Sequence, residues 1–312
     1  MKVLLVRTDS QLGDTIFETC FYRELKRHFP DAYITVMACG NRRVLENLPY
    51  IDEFIWLPPK GLGRILRAFC ALPYIWRQNY DVLVSLTPTL RMKIFNRFLR
   101  ARRKFPFEYR LGIPAVNAYV NILNQLGAQA IDASYTLVIP PQAQQEATAF
   151  LTRHQLTHTP YLVFNPMASC VSYTLTPRDV LRIVRGLRAA GLHAPVVVLD
   201  YKKQYPSAEA AVYRFESNDV LAVAQLVKQS AYVLTVDTAI SHMAATFNKP
   251  MTVLFTDQPR AALPRAKNLE HLISFAPATP HTAVLWAKHT VRAIPLPNIV
   301  RTVLAGWSSA RK

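Results

Sequence analysis

Cysteine is scarce in this chain, and its four residues, Cys20, Cys39, Cys70 and Cys170, form no CxxC pair and no Cys/His pair at ligand spacing. The pattern excludes a zinc site and reads as reduced thiols in a cytoplasmic protein. Long apolar runs are also lacking. The strongest, Ala68 to Trp76, contains Pro73 and is far shorter than the roughly 20 residues a membrane-spanning helix needs. The opening MKVLLVRTD has an apolar run of four residues before Arg7 and Asp9, too short for a secretory leader, and reads as a buried first strand. No internal repeat or low-complexity tract is present. Acidic residues are the clearest shortage: 20 Asp and Glu stand against 37 Lys and Arg, a formal net charge of +17. An excess of this size favours phosphate-bearing partners through long-range attraction, so nucleic acid, anionic lipid and phosphorylated glycolipid all qualify. Nucleic acid has only the charge in its favour, because no helix-turn-helix, zinc or RNA-recognition signature accompanies it.

What is present is a rhythm. VLLV (3–6), a helical pattern over 14–29, YITVM (33–37), EFIWL (53–57), a helix over 62–78 and DVLVSL (81–86) alternate as βαβ units on a parallel sheet do. After Pro140 and Pro141 and a polar helix to 155 it restarts: YLVFN (161–165), a helix over 177–190, PVVVLD (195–200), a helix over 219–229, YVLTVD (232–237), a helix to 247 and MTVLF (251–255). Length and rhythm predict an α/β chain of two Rossmann-like parallel-sheet domains facing across a cleft, residues 1–155 and 156–312, with the boundary inside 140–160. A last amphipathic helix over 298–305 is expected to pack back on the first domain. Ligands of open parallel sheets sit beyond the carboxyl ends of the strands, which makes the interdomain cleft the expected ligand site.

In VRTDSQLGDTIFET, Gly13 lets the backbone turn and leaves Asp14 at the start of a helix. Two roles are open to Asp14: an N-cap that accepts backbone N–H bonds, or a carboxylate in the cleft that takes the proton of an attacking sugar hydroxyl. The second turn, LTVDTAISHMAATFNKPMTVLF, puts Asp237 and Thr238 at a strand end and opens a helix at once. Its amide ends and dipole suit a pyrophosphate, with Ser241 and His242 in the first turn, although Asp-Thr before a helix is also an ordinary cap.

Taken with their surroundings, RTDSQLGDTIFETCFYRELKRHFPDAYITVM and the Asp237 segment resemble the two signatures of glycosyltransferase family nine, the heptosyltransferase family of lipopolysaccharide core biosynthesis. The resemblance covers most of the chain in order, and its specific motifs are these two turns. It implies a GT-B fold, an acceptor-binding first domain and a nucleotide-sugar-binding second one. Asp14 is then the general base of an inverting, metal-independent transfer, and Gly13, Asp237, Thr238, Ala239, Ser241, His242 and Thr174 bind the donor. The co-substrate it implies is ADP-heptose or a close relative, with no cofactor and no metal. The acceptor it implies is a phosphorylated glycolipid of the Kdo-lipid A type, reached from the cytoplasmic face of the inner membrane by a peripheral enzyme that binds no nucleic acid.

Three positions depart from the family pattern. Ala239 replaces a glycine after Asp-Thr, Thr256 replaces a glycine after the following strand, and Thr176-Pro177 replaces Trp-Pro with Thr174 where a basic residue is expected. The lost cation weakens stabilisation of a leaving diphosphate unless Arg178, Lys202 or Arg260 substitutes. These departures keep open another nucleotide hexose as donor, or a non-catalytic glycolipid-binding paralogue. Lys60 to Arg110, finally, holds twelve basic residues and two acidic ones, Asp81 and Glu108, interleaved with Leu, Phe, Tyr and Trp. It reads either as solvated helix faces over buried apolar stripes or as an acceptor and membrane-surface patch carried by Arg64, Arg67, Arg97, Arg100, Arg102 and Arg103.

Overall fold

The structure is a computed structural model and describes residues 1–8, 10–58, 61–86, 90–107, 116–205, 209–257 and 281–310. It divides into two compact units, Met1–Val138 and Ile139–Lys312.

In the first unit the short β-branched runs become five parallel strands: β1 (Lys2–Val6), β2 (Tyr33–Ala38), β3 (Glu53–Trp56), β4 (Val82–Ser85) and β5 (Arg103–Pro106). Their order is β3-β2-β1-β4-β5, with Val3 beside both Ile34 and Val82. The sheet therefore grows first to one side of β1 and then to the other, and β1 and β4 flank the switch point where such sheets hold ligands. Because side chains alternate along a strand, the sheet has two apolar faces. Val3, Leu5, Ile34, Val36 and Val84 pack with α1 (Leu12–His28) and α6 (Val116–Leu126), near the short α2 (Arg42–Leu45). Leu4, Val6, Met37 and Leu83 pack with α3 (Leu62–Cys70), α4 (Leu72–Gln78) and α5 (Leu90–Phe98). The single helix expected over 62–78 is two, because Pro73 has no amide to continue the ladder and sits at the start of a new helix instead.

The second unit repeats the plan with six strands, β6 (Leu162–Asn165), β7 (Val196–Leu199), β8 (Val212–Phe215), β9 (Tyr232–Val236), β10 (Met251–Thr256) and β11 (Thr282–Ala287), ordered β11-β10-β9-β6-β7-β8 and all parallel. Its switch point lies between β6 and β9. One face is covered by α7 (Pro141–Arg153), α9 (Val220–Gln229) and α10 (Ala239–Thr246), the other by α8 (Pro177–Ala189) and α11 (Leu296–Ser309).

Two expectations on domain organisation change. The division falls at residues 138 and 139 and not at 155, because α7 packs on α9 and so belongs to the second unit. The terminal helix is longer than 298–305, and its Ile299, Val303 and Trp307 join the core of the second unit against α8 and the sheet. That contact is close enough to need glycine: a Cβ on Gly306 would stand 2.2 Å from the Tyr232 hydroxyl.

Candidate active site

The carboxyl end of β1 carries a buried charge cluster. Arg7 is 1% exposed and Glu18, one turn beyond Asp14 in α1, is 0% exposed. The Arg7 Nη2 lies 2.6 Å from Glu18 Oε1 and its Nε donates to Oε2 at 3.1 Å. The hydroxyls of Tyr119 and Tyr22 donate to the same carboxylate at 3.0 and 3.2 Å. Four donors on one carboxylate are what a buried charge requires, since an unpaired one is driven from the interior. Burial, followed by the Glu18 charge, raises Tyr22 well above its ordinary pKa, so it remains a donor.

Asp14 stands beside this cluster, its Oδ2 3.8 Å from Arg7 Nη2 and its side chain 25% exposed. The helix begins at Leu12 with Gln11 as its N-cap, so Gly13 and Asp14 are both helical. The expected turn through Gly13 is therefore the first turn of α1 itself, and the cap reading of Asp14 does not hold: Asp14 is the third residue of the helix. Its position favours a negative charge, because the first-turn amides and the helix dipole converge there. The carboxylate reaches solvent at the switch point while Arg7 holds its inner side. From the facing helix layer, Arg64 Nη1 donates to the Thr8 carbonyl at 2.9 Å and ties α3 to the same turn.

The six arginines read as one patch do not form one. Arg64 is at the carboxyl edge, and Arg67 is exposed one turn further along α3. Arg102 and Arg103 lie at the opposite, amino edge, where Arg102 pairs with Asp81 at 3.3 Å and Arg103 donates to the Gln125 carbonyl at 2.7 Å. Arg97 and Arg100 flank the end of α5, and the Arg100 guanidinium lies 4.9 Å from the Trp76 ring. Parallel strand direction separates these residues, which sequence proximity alone had joined.

In the second unit the switch point is organised by Asn165, the last residue of β6 and 5% exposed. Its Nδ2 donates to Thr235 Oγ1 at 3.0 Å and to Thr238 Oγ1 at 2.9 Å, bridging the ends of β6 and β9. Thr238 is the N-cap of α10, its Oγ1 accepting from the Ile240 amide at 3.3 Å. Thr238, Ala239 and His242 are partly exposed at this helix start, while Asp237 is buried. Ser241 departs from expectation: it is fully buried and its hydroxyl donates to the Thr238 carbonyl at 2.7 Å, so it braces the helix start from behind rather than lining it.

Thr174 departs as well. Its hydroxyl donates to the Cys170 carbonyl at 3.0 Å and accepts from the Ala168 amide at 3.2 Å, which closes the loop after β6. Among the described residues a cation does reach this point, and it is Arg292. Arg178 and Lys202 are exposed, and Arg260 lies outside the described residues. Arg292, in the turn after β11, donates through Nε to the Thr174 carbonyl at 3.0 Å. The same edge carries Thr256 and Asp257, both buried, with Asp257 Oδ1 accepting from the His289 amide at 2.7 Å.

No protein-family model matches the chain. A curated relative does: lipopolysaccharide heptosyltransferase 3 of Escherichia coli is 22% identical over 277 residues, 78% of this chain and 80% of that protein. In sequence the chain thus resembles a heptosyltransferase over most of its length. Among solved structures, the glycosyl transferase family 9 protein of Veillonella parvula superposes with a TM-score of 0.78 at 17% identity, covering 99% of this chain and 97% of its own. The ADP-heptose lps heptosyltransferase II of Escherichia coli gives 0.71 at 15% identity, with 100% of both chains covered. The two parallel-sheet units are thus the two domains of the GT-B fold. Among the described residues, no group of three or more His, Cys, Asp or Glu is placed to hold a metal ion, and no helix is long and apolar enough to cross a membrane.

Four residues of the two switch points were not singled out from the sequence: Arg7, Glu18, Asn165 and Arg292. Glu18 carried a usable signal, since its spacing of four from Asp14 puts both carboxylates on one face of α1. Asn165 carried a weaker one as the polar end of an apolar strand. Arg292 carried none, because its role depends on a loop more than a hundred residues earlier in the chain.

Proposed function

We propose that the protein transfers a heptose from ADP-heptose or a close relative to the Kdo/heptose inner core of lipopolysaccharide or lipooligosaccharide, with inversion and without a metal ion. Asp14 is the general base. Its carboxylate takes the proton of the acceptor hydroxyl as that oxygen bonds to the anomeric carbon, and the bond from that carbon to the diphosphate breaks on the opposite side. The departing diphosphate collects negative charge, and the α10 start at Thr238, Ala239 and His242 offers amide ends and a dipole for it. Arg292 is the candidate for the cation that Thr174 does not supply, and Arg64 the candidate for an acceptor phosphate or carboxylate beside the Asp14 turn. The enzyme works at the cytoplasmic face of the inner membrane, where its glycolipid acceptor lies.

One observation carries this reading: a partly exposed carboxylate, held from within by Arg7, at the switch point of a Rossmann-like domain. The similarity to a lipopolysaccharide heptosyltransferase and to an ADP-heptose heptosyltransferase supports the choice of sugar and acceptor. The test is Asp14→Asn, which keeps the side-chain volume and removes the base. Transfer from ADP-heptose to a deacylated inner-core acceptor is expected to fall by about 10²- to 10⁴-fold, with the thermal transition unmoved. Full activity in that variant ends the assignment. A second reading, another nucleotide hexose as donor, is favoured by the partly exposed Ala239 methyl at the phosphate-facing helix start. Stabilisation by a UDP- or GDP-hexose and not by ADP-heptose would select it.

A further inference from the structure

Amphipathic helices at the surface of a domain turn their apolar stripe inward. α3 does the reverse. Leu62, Ile65, Leu66 and Phe69 recur at the spacing of one helix face, and they are 69%, 44%, 57% and 42% exposed, whereas the only apolar residue of the helix in the core is Ala68. The stripe does not end with the helix. The Phe69 ring meets the Phe98 ring edge-on at 5.4 Å, and Phe98 and Ile94 of α5 are 45% and 53% exposed. The outer surface of the α3/α5 layer is therefore a continuous apolar strip two helices wide, larger in character than the scattered exposed Leu or Phe of ordinary surfaces.

The strip is framed by one sign of charge. Arg67 on α3, Lys93 and Arg97 on α5, and Arg100 just beyond it are all exposed. Residues 61–80 and 82–107 contain no Asp or Glu. Of the acidic groups that bound these stretches, Glu53 is engaged at the amino edge by the Tyr74 hydroxyl and Asp81 by Arg102 and the Lys2 amide, and Glu108 lies outside the described residues.

We propose that this face lies on an anionic lipid bilayer, α3 in the plane of the interface, with Leu62, Ile65, Leu66, Phe69 and Phe98 below the headgroups and Arg67, Lys93, Arg97 and Arg100 among the lipid phosphates. The inference rests on the reading of the acceptor as a membrane glycolipid. A helix with an apolar face and cations beside it is the arrangement that interfacial binding needs. Lipid phosphate is the charge complement of the rim, and a second copy of the chain would bring like charge against like. Because Arg64 of the same helix donates to the Thr8 carbonyl, a bilayer held by α3 lies beside the Asp14 turn. A lipid-anchored sugar is delivered there without leaving its membrane.

Flotation of the full chain with vesicles tests this. The vesicles are phosphatidylethanolamine with phosphatidylglycerol, or phosphatidylcholine alone, and neither contains glycolipid. The chain is expected to float with the anionic vesicles and stay down with the neutral ones. The double variant I65S/L66S is expected to weaken anionic binding by about tenfold or more, since two exposed apolar side chains no longer enter the interface. The charge variant R67E/R97E is expected to weaken it comparably, and both should keep the native thermal transition because the four side chains face solvent. Unchanged binding of I65S/L66S overturns the proposal, as does equal binding to neutral vesicles. A dimer of the free chain that I65S/L66S dissolves overturns it too, assigning the strip to a second copy. Transfer to a deacylated, soluble acceptor is measured on the same variants and should persist. Loss of lipid binding with retained transfer removes this surface alone, whereas a wrong donor or acceptor leaves the vesicle result standing.

Discussion

Replacing Glu18 by glutamine probes how the fold holds the candidate base. The substitution is nearly isosteric and removes a single charge from a carboxylate that is 0% exposed and receives Arg7, Tyr22 and Tyr119. Arg7, itself 1% exposed, is left facing an amide, with the Asp14 carboxylate 3.8 Å away. Breaking one partner of a buried ion pair costs about 3–5 kcal/mol, because the other charge stays behind without its counterion. Arg7→Met removes the opposite partner and is expected to cost a similar amount. The double variant R7M/E18Q has no buried charge left to compensate, while the glutamine carbonyl still accepts from the tyrosines, so it should be more stable than either single variant. The assay is hydrogen exchange of the Val3 to Val6 amides during a urea titration, which reports the first unit separately from the second. A loss below about 1 kcal/mol for Glu18→Gln refutes the reasoning, as does a double variant as unstable as the sum of the singles.

Other consequences follow from particular contacts. Gly306→Ala should lower the stability of the second unit by about 2 kcal/mol, overpacking against the buried Tyr232 exceeding the roughly 1 kcal/mol that alanine adds to a helix. Adding Tyr232→Phe, which removes the nearest atom, should recover part of the loss in urea unfolding. Asn165→Ala removes both hydrogen bonds that set Thr235 and Thr238, and ADP affinity in calorimetry should fall by about thirtyfold, at roughly 1 kcal/mol per bond; an unchanged Kd would separate Asn165 from the donor site. Burial raises the Cys20 thiol far above its ordinary value of 9.0, with the Arg23 charge opposing. A raised folded-state pKa stabilises fully below pH 9 and progressively less above it, because the unfolded chain then releases a proton that the folded one keeps. The stability of the first unit should therefore fall by about 1.4 kcal/mol per pH unit from this group above pH 9, and Cys20→Ala should flatten that slope.

The strands that form the sheet centres were legible because β-branched runs bounded by turn residues are strong local signals, as in VLLV and YLVFN. The strands that escaped, β5, β8 and β11, lie at or next to sheet edges. RKFP and VYRF span four positions only and neither alternates polar with apolar residues, so nothing in them separates a strand from a loop. At the site, Asp14 and Thr238 were legible because a helix start has a local signature, whereas the residues that hold them were not. Arg7 and Asn165 look like strand ends until the sheet order places them at switch points. Ser241 illustrates the converse: its position in the first turn was right, and its buried hydroxyl, donating back to Thr238, was decided by packing that no local pattern encodes.

The α3 stripe marks a deeper limit. Spacing of Leu62, Ile65, Leu66 and Phe69 establishes that one helix face is apolar, yet periodicity carries no sign: the same pattern serves a face turned to the core and a face turned away from it. The sign comes from competition for the sheet. Leu72 and Ile75 of α4, Met92 and Phe95 of α5, and Leu99 just beyond it fill the space above Leu4, Val6 and Leu83, so only the Ala68 side of α3 finds room there. An apolar stripe excluded from its own core must meet something else. The run of arginines beside it, with no acid in 61–80, makes lipid phosphate the partner of opposite charge. The basic, aromatic stretch between Lys60 and Arg110 thus had two readings because local pattern and charge were both satisfied either way, and only the occupancy of the sheet face tells them apart.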